Sequence, residues 1–300
     1  MYKSMGYFGG KSAGNVNGIG AWIADRLPWE YAQTYIEPFA GMLGVLLQRR
    51  PVANEIANDV SGDIIHWWKT VQTDNMRLAD RVDQLPFSRQ MFEEYKDQLK
   101  AGALDGLERA VAFTMVLSQS FRSTRSSWEI SYLPIKRSHR PTGSSIIMLF
   151  DRIKSVQFEC KDALEIIDYV RKMPHVLCYL DPPYANTTTS HYGDDQVNFE
   201  DMLAMLKLSD NRARFALSGY GDVADSLDWN RHEKQLNISF SYSSKDNDAV
   251  DRSRTEVLWT NYSTSSKVRI IERWYLDINF SQTGGGPQKN EAVQPCCCLQ

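Results

Sequence analysis

Directly behind the apolar run His175 to Leu180 stand four residues that could do chemistry: Asp181, Pro182, Pro183 and Tyr184. The run reads as a buried strand, so the four sit at its carboxyl end, where open α/β sheets form their ligand crevices. Two prolines remove two backbone donors and hold the chain extended, which ends the strand and stiffens the turn. A stiff turn with one carboxylate and one aromatic ring can hold a planar polar ligand. Taken alone, the tetrapeptide also fits a strand-ending turn with a solvated Asp181 and a half-buried Tyr184. Two further strand ends carry complementary tools. In QTYIEPFAGMLGVLLQRR, Gly41 and Gly44 let the backbone approach a ligand, ahead of an expected helix amino terminus. Their spacing does not match the G-x-G-x-x-G dinucleotide fingerprint. About 20 residues beyond that strand end lies Asp59, where an acidic side chain can accept from ribose hydroxyls. A nucleoside-bearing cofactor on one half of a sheet and a planar amide-like substrate on the other would use all three.

The elements that must position these residues repeat one scheme. QTYIEPFAGMLGVLLQRR runs from a short apolar strand into an apolar helix start. VANEIANDVSGDIIHWWKTVQ follows suit, with Asn58 and Asp59 at the strand end and Ile64, Ile65, Trp68 and Val71 at helical spacing. In VQFECKDALEIIDYVRKM, Asp162 opens a helix whose apolar face is Ala163, Ile166, Ile167 and Val170. The strand that ends at Asp181 is followed by a helix near Phe199 to Lys207 and by a further strand, RFALSGY. Alternating strands and helices predict an α/β fold, a mostly parallel sheet with helices on both faces.

Between the second and third units the pattern changes. Residues 75–154 read as an inserted, mainly helical module around one long polar segment, SQSFRSTRSSWEISYLPIKRSHRPTGSS. The expected division is therefore a catalytic domain at 1–74 and 155–280, the insertion at 75–154 and a disordered tail at 281–300. The chain has 300 residues and a formal net charge of -3, which excludes a globally basic nucleic-acid binder but not a local basic patch. From Gln119 to Lys154 seven basic residues face two acidic ones. Phe121, Trp128 and Tyr132 interleave with them, a composition suited to phosphate contact and base stacking, or to a solvated loop with core-facing aromatics. No apolar run approaches the ~18 residues of a membrane span, so a cytoplasmic protein without membrane contact is expected. Cys160 and Cys178 fall in predicted strands as buried thiols, their separation fits no metal motif, and no metal is expected. The tail ends in Cys297, Cys298, Leu299 and Gln300, a loose prenylation pattern without the usual basic stretch.

Together, YFGGK, YIEPFAGMLGV, ANDV and LDPPY resemble the Dam-type, D12 class DNA adenine-N6 methyltransferases, in the variant common among phages. The likeness runs over roughly residues 5 to 262, and its motif order resembles the alpha arrangement of amino-methyltransferases. It implies a Rossmann-like AdoMet-dependent methyltransferase sheet, with S-adenosylmethionine (AdoMet) as methyl donor and double-stranded DNA as partner. By the resemblance, Tyr7 and Lys11 close over AdoMet, and Glu37, Phe39 and Gly41 line its methionine side. Asp59 would bind the ribose hydroxyls, Asp162 would sit near the cofactor adenine, and Asp181 would stand where cofactor and target meet. Asp181, Pro182 and Tyr184 would meet the target base. The basic segment, with Arg122, Arg125, Lys136, Arg137 and Arg140, would belong to the DNA-binding target-recognition region. SRTEVLWTNY resembles the late strand that ends the fold. The recognition region departs from the pattern of GATC-reading relatives, and Tyr7 replaces a common tryptophan while keeping an aromatic wall.

The chemistry this implies starts from the adenine N6 amine, whose lone pair is delocalised into the ring. The Asp181 carboxylate and the Pro182 carbonyl, both acceptors, would take the N6 hydrogens and favour a tetrahedral nitrogen with a localised pair. That nitrogen would attack the sulfonium methyl in line, while Asp181 stabilises the charge growing on it. The base would have to flip out of the duplex, with Tyr184 replacing the lost stacking. Two other functions use similar residues. A sister enzyme acting on cytosine N4 or RNA adenine fits less well with Asp181 and the DNA-type insertion. A catalytically silent AdoMet- or DNA-binding protein fits less well with intact Lys11, Asp59, Asp181 and Tyr184. A monomer and a weak dimer remain the two expected states of assembly.

Overall fold

The computed structural model describes residues 11, 18–120, 125, 127–128, 142–183, 198–236 and 254–264. Seven strands form one sheet: β1 (Thr34–Glu37), β2 (Asn54–Asn58), β3 (Gln157–Glu159), β4 (Val176–Leu180), β5 (Arg214–Tyr220), β6 (Asn230–Leu236) and β7 (Arg254–Thr260). Their order is β3-β2-β1-β4-β5-β7-β6. Strands β1 to β5 pair in parallel, whereas β7 runs antiparallel to both of its neighbours, β5 and β6. The helices are α1 (Ile19–Ala24), α2 (Gly62–Asp83), α3 (Arg89–Lys100), α4 (Gly106–Gln119), α5 (Gly143–Ile153), α6 (Ala163–Val170) and α7 (Phe199–Leu206).

The period-2 alternation of a strand divides the apolar residues between two faces. On β4, Leu177 and Tyr179 join a core with residues of α2, α4 and α5. Val176, Cys178 and Leu180 join the other, with Ile167 and Val170 of α6 and Met202 and Leu206 of α7. Burial on both sides explains why β4 reads as an unbroken apolar run. Helix α2 buries Ile64, Ile65, Trp67, Trp68 and Val71, and it kinks at Asp74, whose backbone leaves the helical region (φ -142°, ψ 37°). Val111, Phe113 and Leu117 of α4 and Ile146, Leu149 and Ile153 of α5 pack into the same core as α2.

The fold also corrects several expectations. The segment after β1 forms only a three-residue 3-10 turn, Leu46–Gln48, instead of an α-helix. Gly41 and Leu43 take left-handed backbone conformations (φ 46° and 56°), and Pro51 disfavours helix at the residue before it. The turn is instead held by Arg152 of α5, which donates to the Leu46 and Arg49 carbonyls at 2.8 and 3.0 Å. The same guanidinium makes a buried bidentate pair with Glu55 of β2 at 2.6 and 2.8 Å. Cys160 is exposed, because β3 ends at Glu159 and leaves it one residue past the strand. Cys178 is buried, as expected. The tail at 281–300 lies outside the described residues. No described helix is long and apolar enough to cross a membrane.

Candidate active site

Because β1 to β5 are parallel, the residues that follow Glu37, Asn58, Glu159, Leu180 and Tyr220 gather along one edge of the sheet. On the β1–β2 side the loops are stapled by hydrogen bonds. Fully buried Asn58 donates to the Pro38 and Lys161 carbonyls, both at 3.0 Å, and accepts from the Lys161 amide at 2.9 Å. One side chain thereby ties together the chain leaving β1, β2 and β3. Asp59 is half-buried and accepts from the Gly41 amide through Oδ2 and from the Ser61 amide through Oδ1, each at 2.9 Å. Trp68 of α2 donates its indole N–H to the Gly41 carbonyl at 2.9 Å. Gly41 is thus gripped from both ends of its peptide units. Glu37 is buried and accepts through Oε1 from the Tyr35 hydroxyl at 2.8 Å and the Leu46 amide at 2.7 Å.

On the β4–β5–β7 side the links are ionic. The Lys11 ammonium lies 3.0 Å from Asp181 Oδ1 and 2.9 Å from Glu256 Oε1, with Lys11 and Glu256 both buried. The Lys11 carbonyl accepts from the Gly20 amide at 2.9 Å, and a Cβ on Gly20 would stand 2.8 Å from that oxygen and 2.3 Å from the Gly44 carbonyl. Only glycine allows this close approach of the Lys11 and Gly44 segments. Asp181 Oδ1 also accepts from the Ser218 hydroxyl of β5 at 3.1 Å, and Ser218 is in turn 2.8 Å from the Tyr179 hydroxyl. Glu256 stands opposite Tyr220 in the β5–β7 register.

The electrostatics follow from burial. Desolvation pushes the Glu37 carboxyl up to about 8, opposed by its two hydrogen bonds and reinforced by the nearby Asp181 charge. Desolvation also raises Glu256, with Lys11 opposing and Asp181 reinforcing the shift. The Cys178 thiol is raised by burial and then by Glu37. Cys178 lies mid-strand in the core, whereas Glu37 and Glu256 stand at one sheet edge, the placement in which shifted groups mark candidate functional sites.

The structure therefore brings Lys11 to Asp181 and Asp59 to Gly41. Phe39 packs half-buried against the α6–α7 core, and Pro182 is buried beside Asp181. Asp162 is exposed and caps α6 by accepting from the Leu164 amide at 2.7 Å. Arg125 has a left-handed backbone (φ 60°), and its guanidinium lies 5.8 Å from the Phe113 ring centroid. Trp128, read from sequence among the basic residues, faces the core instead, with ring centroids 4.5 Å from Phe87 and 5.5 Å from Phe92. Tyr7, Tyr184, Arg122, Lys136, Arg137 and Arg140 lie outside the described residues. Sequence reasoning missed Asn58 as a staple, and Ser218 and Glu256 as partners of the Asp181 cluster. A lone carboxylate in the apolar stretch TEVLWT was the available signal for Glu256. Among the described residues, no group of three or more His, Cys, Asp or Glu is placed to hold a metal ion.

A seven-stranded sheet flanked by helices, with carboxylates along one edge, is the arrangement of a Rossmann-like methyltransferase fold. Residues 7–220 match the family described as D12 class N6 adenine-specific DNA methyltransferase, and the chain belongs to that family. The family implies AdoMet as methyl donor and DNA as substrate. Comparison with curated proteins gives no match.

Proposed function

We propose that the protein transfers a methyl group from AdoMet to the N6 amine of an adenine flipped out of double-stranded DNA at a specific site. The observation that carries this reading is Asp181, held at the carboxyl end of β4 by Lys11 and Ser218, in a turn that presents a second acceptor at Pro182. The adenine N6 amine, its lone pair delocalised into the ring, offers only donors, so two acceptors side by side are its complement. Asp181 and the Pro182 carbonyl take the N6 hydrogens, localise the nitrogen lone pair and stabilise the positive charge that grows there. Inside a duplex the amine is out of reach, so the base leaves the stack and the Tyr184 ring covers it.

The β1–β2 side fits the methyl donor. Gly41 offers backbone without a side chain at φ 46°, and Asp59 is an acceptor fixed in place by two backbone amides. When bound, AdoMet supplies an electrophilic methyl on a sulfonium centre. Asp59 holds the ribose hydroxyls, Glu37, Phe39 and Gly41 shape the methionine side, and Tyr7 closes over the group. Asp162 stands at the adenine end, and Lys11 keeps Asp181 in the position where cofactor and target meet. The region 75–154 serves target recognition, with Arg122, Arg125, Lys136, Arg137 and Arg140 toward DNA. The test is sequencing, with methyl-adenine detection, of DNA from cells expressing the chain or its Asp181→Ala variant. N6-methyladenine at one recurring sequence, lost in the variant, is expected. Unmodified adenine, or methylation of cytosine, overturns the reading.

A further inference from the structure

We propose that Glu256 is a positioning residue for methyl transfer, fixing the Asp181 carboxylate through the Lys11 ammonium. The inference rests on the reading of Asp181 as the group that meets the target amine. Glu256 lies on β7, the reversed strand among those described, opposite the last residue of β5. That register brings its carboxylate to the edge where β4 and β5 end, although it is only 1 % exposed. A carboxylate so deeply buried needs a partner, and the Lys11 ammonium stands 2.9 Å away.

Lysine is a point charge on a flexible stem of four carbons, so one contact leaves it free to swing. Here it is caught between two carboxylates, at 2.9 and 3.0 Å, and its backbone is tied to Gly20. Glu256 therefore decides where the ammonium stands, and the ammonium decides where Asp181 Oδ1 stands. Ser218 holds the same oxygen from β5 at 3.1 Å. Two independent donors on one oxygen fix the plane of the Asp181 carboxylate. A buried ion pair of this kind contributes little to stability compared with apolar packing of the same volume, so what it adds here is geometry.

The test is single-turnover methylation at saturating AdoMet and duplex DNA, with AdoMet and DNA affinities measured separately. Glu256→Ala should lower the rate constant at least about tenfold and leave both affinities within about twofold, as expected for loss of orientation alone. Glu256→Gln, which keeps an acceptor for Lys11, should recover part of the loss. In a Lys11→Met background, Glu256→Ala should have no further effect. A rate within twofold of the parent, an AdoMet affinity that falls as far as the rate, or an undiminished effect in the Lys11→Met background would each overturn the proposal. If Glu256→Ala does not fold, Ser218→Ala removes a single hydroxyl on the same oxygen. It should slow transfer about three- to tenfold at unchanged affinity, and an unchanged rate refutes the two-donor geometry. A parent chain that methylates no adenine sinks the functional reading itself, whereas an active parent matched by Glu256→Ala sinks only the role of Glu256.

Discussion

The two halves of the sheet edge hold their carboxylates by different chemistry. On the β1–β2 side, Asp59 and Glu37 accept from backbone amides and a tyrosine hydroxyl, all of them neutral donors. On the β4–β5–β7 side, Asp181 and Glu256 share an ammonium. Neutral donors built into the backbone fix a shape that changes little with salt. A shared charge ties the geometry of one group to the ionisation of another. The first arrangement suits a ligand bound in the same way at every turnover. The second suits a place where charge appears during the reaction.

The largest effect should come from the ionic half. Asp181→Ala removes the carboxylate proposed to face the developing charge and should slow methyl transfer on the order of 10³-fold with the fold intact. Methylation of a good duplex substrate above a tenth of the parent rate would break the contrast. The next effect lies beneath the other half, where Arg152 joins α5 to β2 and to the turn after the Gly41 loop. Arg152→Ala leaves Glu55 buried without its partner and should cost about 3–5 kcal/mol in urea unfolding. A loss below about 1 kcal/mol would mean that the pair is dispensable.

Asp59→Ala should weaken AdoMet roughly tenfold or more while DNA affinity stays unchanged, because a hydrogen bond to a charged acceptor contributes about 1.5–3 kcal/mol. Calorimetry with unchanged AdoMet affinity would remove Asp59 from the site. Glu37 tests the limit of neutral donors, which leave its carboxyl raised from an ordinary 4.5 to about 8. Between these values the folded chain holds a proton that the unfolded chain has released, so stability falls as pH rises. The slope should reach up to about 1.4 kcal/mol per pH unit and disappear in Glu37→Gln. Parallel pH profiles for parent and variant would show that Glu37 does not titrate in this range.

The placement of the site, though not the chemistry that holds it, was legible in the sequence because strand ends are. Apolar runs gave β1, β2, β4 and β5, and with parallel pairing they put Gly41, Asp59 and Asp181 on one edge. The polar segment NRHEKQL was not legible as β6, since an edge strand buries too little for alternation to stand out. Nor was the Lys11–Glu256 pair, whose members lie far apart in the chain, Glu256 reaching this edge through its place opposite Tyr220 in the β5–β7 register. The apolar stretch after β1 resembled a helix because Leu43, Val45, Leu46 and Leu47 are all buried in the large core, and periodicity cannot separate such a run from a helical face.

The smallest effect concerns charge that works without burial. Exposed cations near DNA act by displacing counterions, so each phosphate contact should contribute about one unit to the log–log salt slope of binding, equally for every sequence. Single alanine substitutions at Arg122, Arg125, Lys136, Arg137 and Arg140 should therefore flatten that slope by about one unit wherever a phosphate is met. A base-reading residue should instead cost ~1–3 kcal/mol at one position of the site and relax the choice there. Arg125 should change the slope least of the five, because its guanidinium lies over the Phe113 ring and its amide is tied to Ser120 at 3.0 Å. Binding measured against salt on cognate and random duplexes separates these cases. If all five variants keep the parent affinity and slope, the basic segment is a solvated surface, and the DNA-binding face must be sought along the sheet edge, where buried charge would then serve both binding and chemistry.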